Sequence, residues 1–424
     1  MNERCERPSA VSLFSGAGGL DIGLERAGFR VVAAVDSDGD CIETLLSNQR
    51  KRLQIPGTQD FYLDSTRILH RDISTLKGVD LLPEKASRRR TPDLLVGGPP
   101  CQPFSSAGKQ LSVHDPRGRL FEHFVRIADE LRPRLILFEN VRGLVTARGP
   151  NGVHGEALAL VKEAFEAIGY ATSFRLLNAA DFGVPQRRVR MFMLASRNAP
   201  LPVFPEPTHS ETASRSLFDS TKPWMTLRQL LSTLDCPLLD EDIVRPSATL
   251  ARALEGVPAG SGLKSPGARE ATRPGGHWGY KQGTFVADLD NAARTVTAAS
   301  TQDWIQTADG LRRLTWRECA ALQGFPPEWE FSGPKASVFK QVGNAVPIKF
   351  GEVLGQALID ACGRATERKA ESAPLPDEFV AAIEYSRKEH ARNGESRQRA
   401  RELAKSGAAS LGLIKGLGSA ELAY

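Results

Sequence analysis

The sequence predicts an α/β fold built on a doubly wound, mostly parallel sheet, with a second, smaller and loop-rich domain. Three observations predict it. An apolar run over residues 11–14 ends in the glycine-rich turn 15–19, a helix-spaced stretch follows, and a second apolar run, 31–35, delivers an acid, Asp36. Strand, glycine turn, helix, strand and acid in that order form the opening unit of a parallel sheet whose strand ends face a ligand crevice.

Each element has its own signal. Leu20, Ile22, Leu24 and Ala27 alternate with Asp21, Glu25 and Arg26, which suits a helix closed by Gly28. Short strands fit 94–96, 135–138 and 191–194, separated by amphipathic stretches at 121–131 and 156–168. A doubly wound domain thus occupies residues 1–199. Over 200–293 the texture changes to Pro, Gly, Ser and Thr with few periodic apolar runs, as in a small domain of loops and short strands. Helical period returns at 313–322 and 351–361, so 294–362 closes the first domain. Residues 363–424 form a charged extension with few large apolar residues. Within it, residues 387–405 carry seven Lys or Arg against three Asp or Glu; a solvated helix or disordered tail is the favoured reading there, and a basic helix lying on a phosphate backbone is the other.

Composition narrows the function. The 424 residues are 41% apolar, enough for well-packed cores, and no run is long enough for a membrane span. A cytoplasmic protein with no membrane partner is expected. The six cysteines contain no C-x-x-C pair and the seven histidines show no metal-ligand spacing, so no metal site is expected. A net charge of +5 permits a nucleic-acid partner without requiring one.

The motif GGPPCQPFSSAGKQ, residues 97–110, holds Cys101 on a proline-stiffened turn beyond a buried strand, where a nucleophile sits. Gly16 and Gly18 followed by Asp36 suggest a nucleotide site, yet Asp21 stands where the third glycine of G-x-G-x-x-G belongs. An acid at a helix N-terminus disfavours pyrophosphate, so a phosphate-free nucleoside cofactor such as S-adenosylmethionine fits better than NAD. Asp36 is placed to accept from ribose hydroxyls, and Asp72 to end a third strand and reach the adenine. In LILFENVRGL, an apolar strand delivers Glu139 at its C-terminal end, near the end of the strand that carries Cys101. Partial removal from water raises such a carboxyl's pKa and lets it hold a proton. Arg188 and Arg190 lie two apart, so on a strand they share a face.

These segments together resemble the DNA (cytosine-5)-methyltransferases of the bacterial type. The matching motifs, in order, are FSGAGGLDIGLERAGF from Phe14, GGPPCQPFSSAGKQ from Gly97, ENVRGL from Glu139, QRRVR from Gln186, RRLTWRECAALQGFP from Arg312 and QVGNAVPIKFGEVLGQAL from Gln341. The resemblance implies a Rossmann-like S-adenosylmethionine-dependent methyltransferase acting on a cytosine flipped out of double-stranded DNA, in a restriction-modification or related defence system. It implies Cys101 as nucleophile, Glu139 as the acid on the base, and Arg188 and Arg190 holding base and thiol. Phe14, Gly16, Gly18, Asp36, Ser37, Asp72, Ile73, Pro100, Asn344 and Val346 would form the S-adenosyl-L-methionine pocket. Ser105, Lys109 and Arg117 would lie on a mobile lid over the target. Residues 200–293 fall where the family reads its DNA sequence, and Lys264, Arg269, Arg273 and Lys281 are the expected contacts, interleaved with Trp278 and Tyr280. A monomer is expected, with a cognate restriction endonuclease as a possible partner in the same system. The basic insert 85–90 and the extension have no assigned role.

Three other readings compete. A DNA-binding module without activity is disfavoured because Cys101, Glu139 and Arg190 are all present, and an NAD oxidoreductase fails on glycine spacing. An RNA methyltransferase on the same framework stays open, without a feature in 200–293 to support it.

Overall fold

The computed structural model describes residues 7–82, 91–100, 119–213, 220–234, 239–268, 283–362 and 370–392. Its main sheet has seven strands: β1 (Ser9–Leu13), β2 (Arg30–Asp36), β3 (Arg67–His70), β4 (Leu94–Gly97), β5 (Leu135–Val141), β6 (Ala171–Asn178) and β7 (Val189–Ser196). They lie in the order β3-β2-β1-β4-β5-β7-β6. The first five run parallel, and β7 is antiparallel to both β5 and β6. The apolar runs expected as strands are buried on both faces, as helices packed on each side of a parallel sheet require.

Helices α1 (Gly19–Ala27), α2 (Gly39–Lys51), α3 (Arg119–Leu131) and α4 (Glu156–Ala167) flank the sheet. Gly28 closes α1 at φ 112°, the left-handed cap expected there. The expected polar face of α1 is not solvated: Asp21 and Glu25 are both buried. Ser12 meets Asp21 and the Leu63 amide meets Glu25, while the face carrying Leu20, Gly23, Leu24 and Ala27 is covered from far along the chain. Helix α9 (Ile348–Cys362) crosses α1 so closely that a Cβ on Gly351 would stand 2.6 Å from the Leu20 carbonyl oxygen, and one on Gly23 would overlap the Ile348 carbonyl. Only glycine permits that approach.

A second sheet of four short strands is formed by Ser261–Gly262, Phe285–Val286, Trp304–Thr307 and Gly310–Arg313, so it runs past residue 293. Before these strands come α5 (Leu227–Thr233) and α6 (Ala248–Leu254), and after them α7 (Trp316–Leu322) and α8 (Lys335–Asn344). Thr315 caps α7 through a reciprocal bond with Glu318, and Glu318 also takes a buried two-pronged pair from Arg312 at 2.7 and 2.8 Å. The segment RRLTWRE is therefore a self-contained corner. Part of the extension is also ordered onto the main domain: residues 377–392 are helical, with Phe379 and Ile383 in the same core as Phe138, Leu144 and Leu158, and Ala382 buried beside them.

Candidate active site

The candidate site is built where the strands of the main sheet end. After β1 the chain turns sharply, with φ 58° at Phe14, 55° at Gly16 and 85° at Gly18. The Gly16 amide donates to Asp36 Oδ2 at 2.8 Å, and the Asp38 amide donates to Asp36 Oδ1 at 2.8 Å. Each oxygen keeps a further lone pair for a ligand hydroxyl. Burial raises the Asp36 pKa, while the two amides pull it back. Open space stands where a Cβ of Gly16 would project.

The remaining expected pocket residues gather round this turn. Ser37 follows β2 and is exposed, and its carbonyl meets His70 Nε2 at 3.1 Å. Asp72 caps a short 3-10 turn, accepting from the Ser74 amide at 2.8 Å, which holds its pKa below the ordinary value; Ile73 beside it is buried. Asn344 ends α8 with its side chain exposed, and the Val346 carbonyl lies against Gly19, where a Cβ would collide with it. Gln323 holds this crossing, donating to the Val342 and Ala345 carbonyls at 2.6 and 3.0 Å. Beneath the turn, Ser12 donates to Asp21 at 2.5 Å, and burial pushes the Asp21 pKa up to about 6. A half-buried carboxylate, an uncluttered glycine turn and the exposed side chains of Ser37, Asp72 and Asn344 suit a neutral nucleoside with a cationic tail better than a pyrophosphate.

The second cluster lies one strand over. Val141 of β5 pairs with Arg190 of β7, so Glu139 and Arg190 are diagonal neighbours on one face. Arg190 Nε lies 3.1 Å from Glu139 Oε1, with both side chains largely buried. Burial raises the Glu139 pKa, opposed first by Arg190 and then by Arg188. On its other side the carboxylate rests on Gly98, where a Cβ would stand 2.6 Å from Oε2. Asn140, also buried, donates to the Pro99 carbonyl at 3.3 Å. Glu139 is thus seated against the segment that leads through Pro100, itself exposed, to Cys101.

Arg188 is placed otherwise than the two-residue spacing suggests. The strand begins at Val189, and Arg188 is fully buried, donating to the Val296 carbonyl at 3.0 Å and the Gly343 carbonyl at 2.9 Å. It ties β7 to α8 and to segment 293–297. Gln186 does the same, receiving the Val296 amide at 2.9 Å and donating to Leu322 and Gln323. Sequence reasoning placed Asn140 beside Glu139 at the strand end without a role, and did not single out Gln186, Gly98 or Gln323; the glycine doublet and the QRR run were the available signals. Lys264 is exposed and lies along Gly283. Cys101, Ser105, Lys109, Arg117, Arg269, Arg273, Lys281 and the insert 85–90 fall outside the described residues. Among the described residues no group of His, Cys, Asp and Glu could hold a metal.

The profile of the C-5 cytosine-specific DNA methylases matches residues 9–360. The chain belongs to this family. Its relatives include the type II methyltransferase M.SacI of Streptomyces achromogenes, 32% identical over 384 residues that cover 83% of this chain and 93% of that protein. Another is the type II methyltransferase M1.HphI of Haemophilus parahaemolyticus, 31% identical over 357 residues, covering 84% of this chain and 87% of that one. Among solved structures, a putative DNA modification methyltransferase encoded within an E. coli prophage matches with TM-score 0.57 at 21% identity, over 84% of this chain and all of that one. The S. pombe Dnmt2 methyltransferase matches with TM-score 0.56 at 19% identity, over 84% and 99%. These structural likenesses show the shared fold. As a family member the chain is a DNA (cytosine-5)-methyltransferase, homologous to type II modification enzymes, and the family's methyl donor is S-adenosylmethionine. No described helix is long and apolar enough to cross a membrane.

Proposed function

We propose that this cytosine-5 methyltransferase acts through a covalent adduct between Cys101 and carbon 6 of a cytosine rotated out of duplex DNA. The observation that carries this reading is the Glu139 carboxyl, buried, paired with Arg190 and resting on Gly98, three residues before Cys101. Rotation of the base costs about a few kcal/mol and is needed because carbon 6 cannot be reached inside the stack.

The Cys101 thiolate adds to carbon 6, and Glu139 supplies the proton held at ring nitrogen 3, so negative charge does not accumulate on the ring. Carbon 5 thereby becomes electron-rich. S-adenosylmethionine, when bound, supplies the electrophilic methyl group. Loss of the carbon 5 proton to solvent, with return of the ring nitrogen 3 proton to the Glu139 carboxylate, then expels Cys101 as thiolate and restores the aromatic ring. Arg190 holds Glu139 in position and keeps its pKa from rising further. Phe14, Gly16, Gly18, Asp36, Ser37, Asp72, Ile73, Pro100, Asn344 and Val346 would hold the donor, with Asp36 accepting from ribose hydroxyls.

Residues 200–293 would read the DNA sequence, with Lys264 among the contacts, and Ser105, Lys109 and Arg117 would close over the extruded base. The type II relatives support a role in modification beside a cognate endonuclease, in the cytoplasm. The test is radiolabelled methyl transfer to duplex DNA and to transfer RNA, together with trapping by duplex containing 5-fluorocytosine. The expected result is transfer to DNA and a stable adduct on Cys101, both lost in Cys101→Ala. Transfer that survives the substitution would overturn the assignment.

A further inference from the structure

The extension beyond residue 360 lies outside the family match, yet residues 370–392 are built onto the main domain. The chain first runs along the edge of β6, where the Ala373 amide donates to the Thr172 carbonyl at 2.8 Å and the Thr172 amide donates to Ser372 Oγ at 3.0 Å. The helix over 377–392 then packs on the loop that follows β5: Ile383 sits on Gly155, where a Cβ would come within 2.8 Å of its Cδ1. This brings two arginines and two histidines together. Arg148 donates to His154 Nε2 at 3.2 Å and to His390 Nδ1 at 2.7 Å, so both imidazoles present an acceptor to it. Arg387 donates twice to the His154 carbonyl, at 3.2 and 3.0 Å.

Among the described residues neither guanidinium pairs with a carboxylate. Two of the N–H groups on each are engaged within the cluster, and the others remain for an oxyanion. The loop carrying Arg148 leaves the same strand end as Glu139. Lys388 and Arg392 are exposed farther along the helix, and the sequence continues with Arg397, Arg399, Arg401 and Lys405. Exposed positive charge at Arg387, Lys388 and Arg392 matches a ligand whose own charge repeats, as a nucleic-acid backbone does.

We propose that Arg148 and Arg387 form a phosphate contact to duplex DNA flanking the methylated site, made by an element outside the family's common domain. The proposal rests on DNA being the substrate. The contact positions the duplex and reads no base.

The test measures binding of the full-length protein to duplex of arbitrary sequence across a salt series. Replacing both residues by Gln should weaken binding irrespective of sequence and lower the slope of log affinity against log salt by about 2, near 0.9 per phosphate contact. Replacing both by Lys should restore the slope, since charge is what the contact needs. An unchanged slope in a Gln variant of unaltered Tm would overturn the proposal. Hydrogen exchange on the unmodified protein reads the same contact without a substitution: added duplex should protect 377–392, and absence of protection overturns it too. A protein that binds duplex through this cluster but forms no Cys101 adduct refutes the catalytic reading alone. Normal methylation with an unchanged slope refutes this contact alone.

Discussion

The Arg190 guanidinium stands 3.1 Å from the Glu139 carboxylate on the neighbouring antiparallel strand, in a position where both side chains are largely withdrawn from water. Burial favours the protonated acid and the arginine favours the carboxylate, so the pair sets how readily Glu139 can give up or hold a proton. Replacing Arg190 by Gln removes the opposing charge, and the Glu139 pKa should rise. The alkaline limb of the pH–rate profile should move to higher pH, while kcat falls because the carboxyl is no longer aimed. Glu139→Gln should lower kcat by about 10²–10⁴-fold with donor affinity retained. Steady-state rates across pH check both, and an unmoved alkaline limb in Arg190→Gln counts against the coupling.

Gly98 is a steric requirement of the acid rather than a flexible joint. A methyl group there would lie 2.6 Å from Glu139 Oε2, so the carboxylate must shift. Gly98→Ala should fold with near-normal Tm and lose about 10- to 100-fold in kcat, the scale of an ångström-sized misplacement. Single-turnover methylation separates this from slow product release.

Arg188 should report on stability more than on chemistry. Its loss leaves the Val296 and Gly343 carbonyls without their donor in a buried place, at about 1–3 kcal/mol each. Arg188→Met should lower Tm by several degrees, and folded enzyme should keep more of its kcat than Arg190→Gln does. Calorimetry with kinetics at low temperature distinguishes the two outcomes.

The buried acids of α1 make stability depend on pH. Burial pushes Glu25 up to about 8 and Asp21 up to about 6, from ordinary values of 4.5 and 3.8. The unfolded chain gives up these protons at lower pH than the folded protein, so rising pH favours unfolding. The contribution is complete below the ordinary values and is lost up to about 6 for Asp21 and about 8 for Glu25. Glu25→Gln, which can still accept from the Leu63 amide, should flatten the decline of Tm between about pH 5 and about pH 8. Equal slopes in both proteins would rule the assignment out.

Much of this was legible because parallel strands buried on both faces leave uninterrupted apolar runs. Residues 94–96 and 135–138 fall within β4 and β5, and Asp36 and Glu139 lie at or near strand ends. The direction of β7 was not legible, since alternation looks the same whichever way a strand runs. Nor was β6, whose polar Thr172, Ser173 and Arg175 interrupt its apolar positions. That Arg188 donates to the Val296 and Gly343 carbonyls was not legible, because it stands one residue before the strand and spacing does not show its partners. The buried face of the last described helix was written in Phe379, Ala382 and Ile383, at helical spacing, but high charge around them masked it.

The glycine seam between α1 and α9 has a consequence for biosynthesis. The first strand–turn–helix unit leaves the ribosome long before the segment that shields its apolar side, and no local partner can stand in at so short an interhelical separation. Until α9 has been made, that surface is open to chaperones and proteases. Pulse-chase sensitivity of nascent chains should therefore drop sharply only once residues near 360 have emerged.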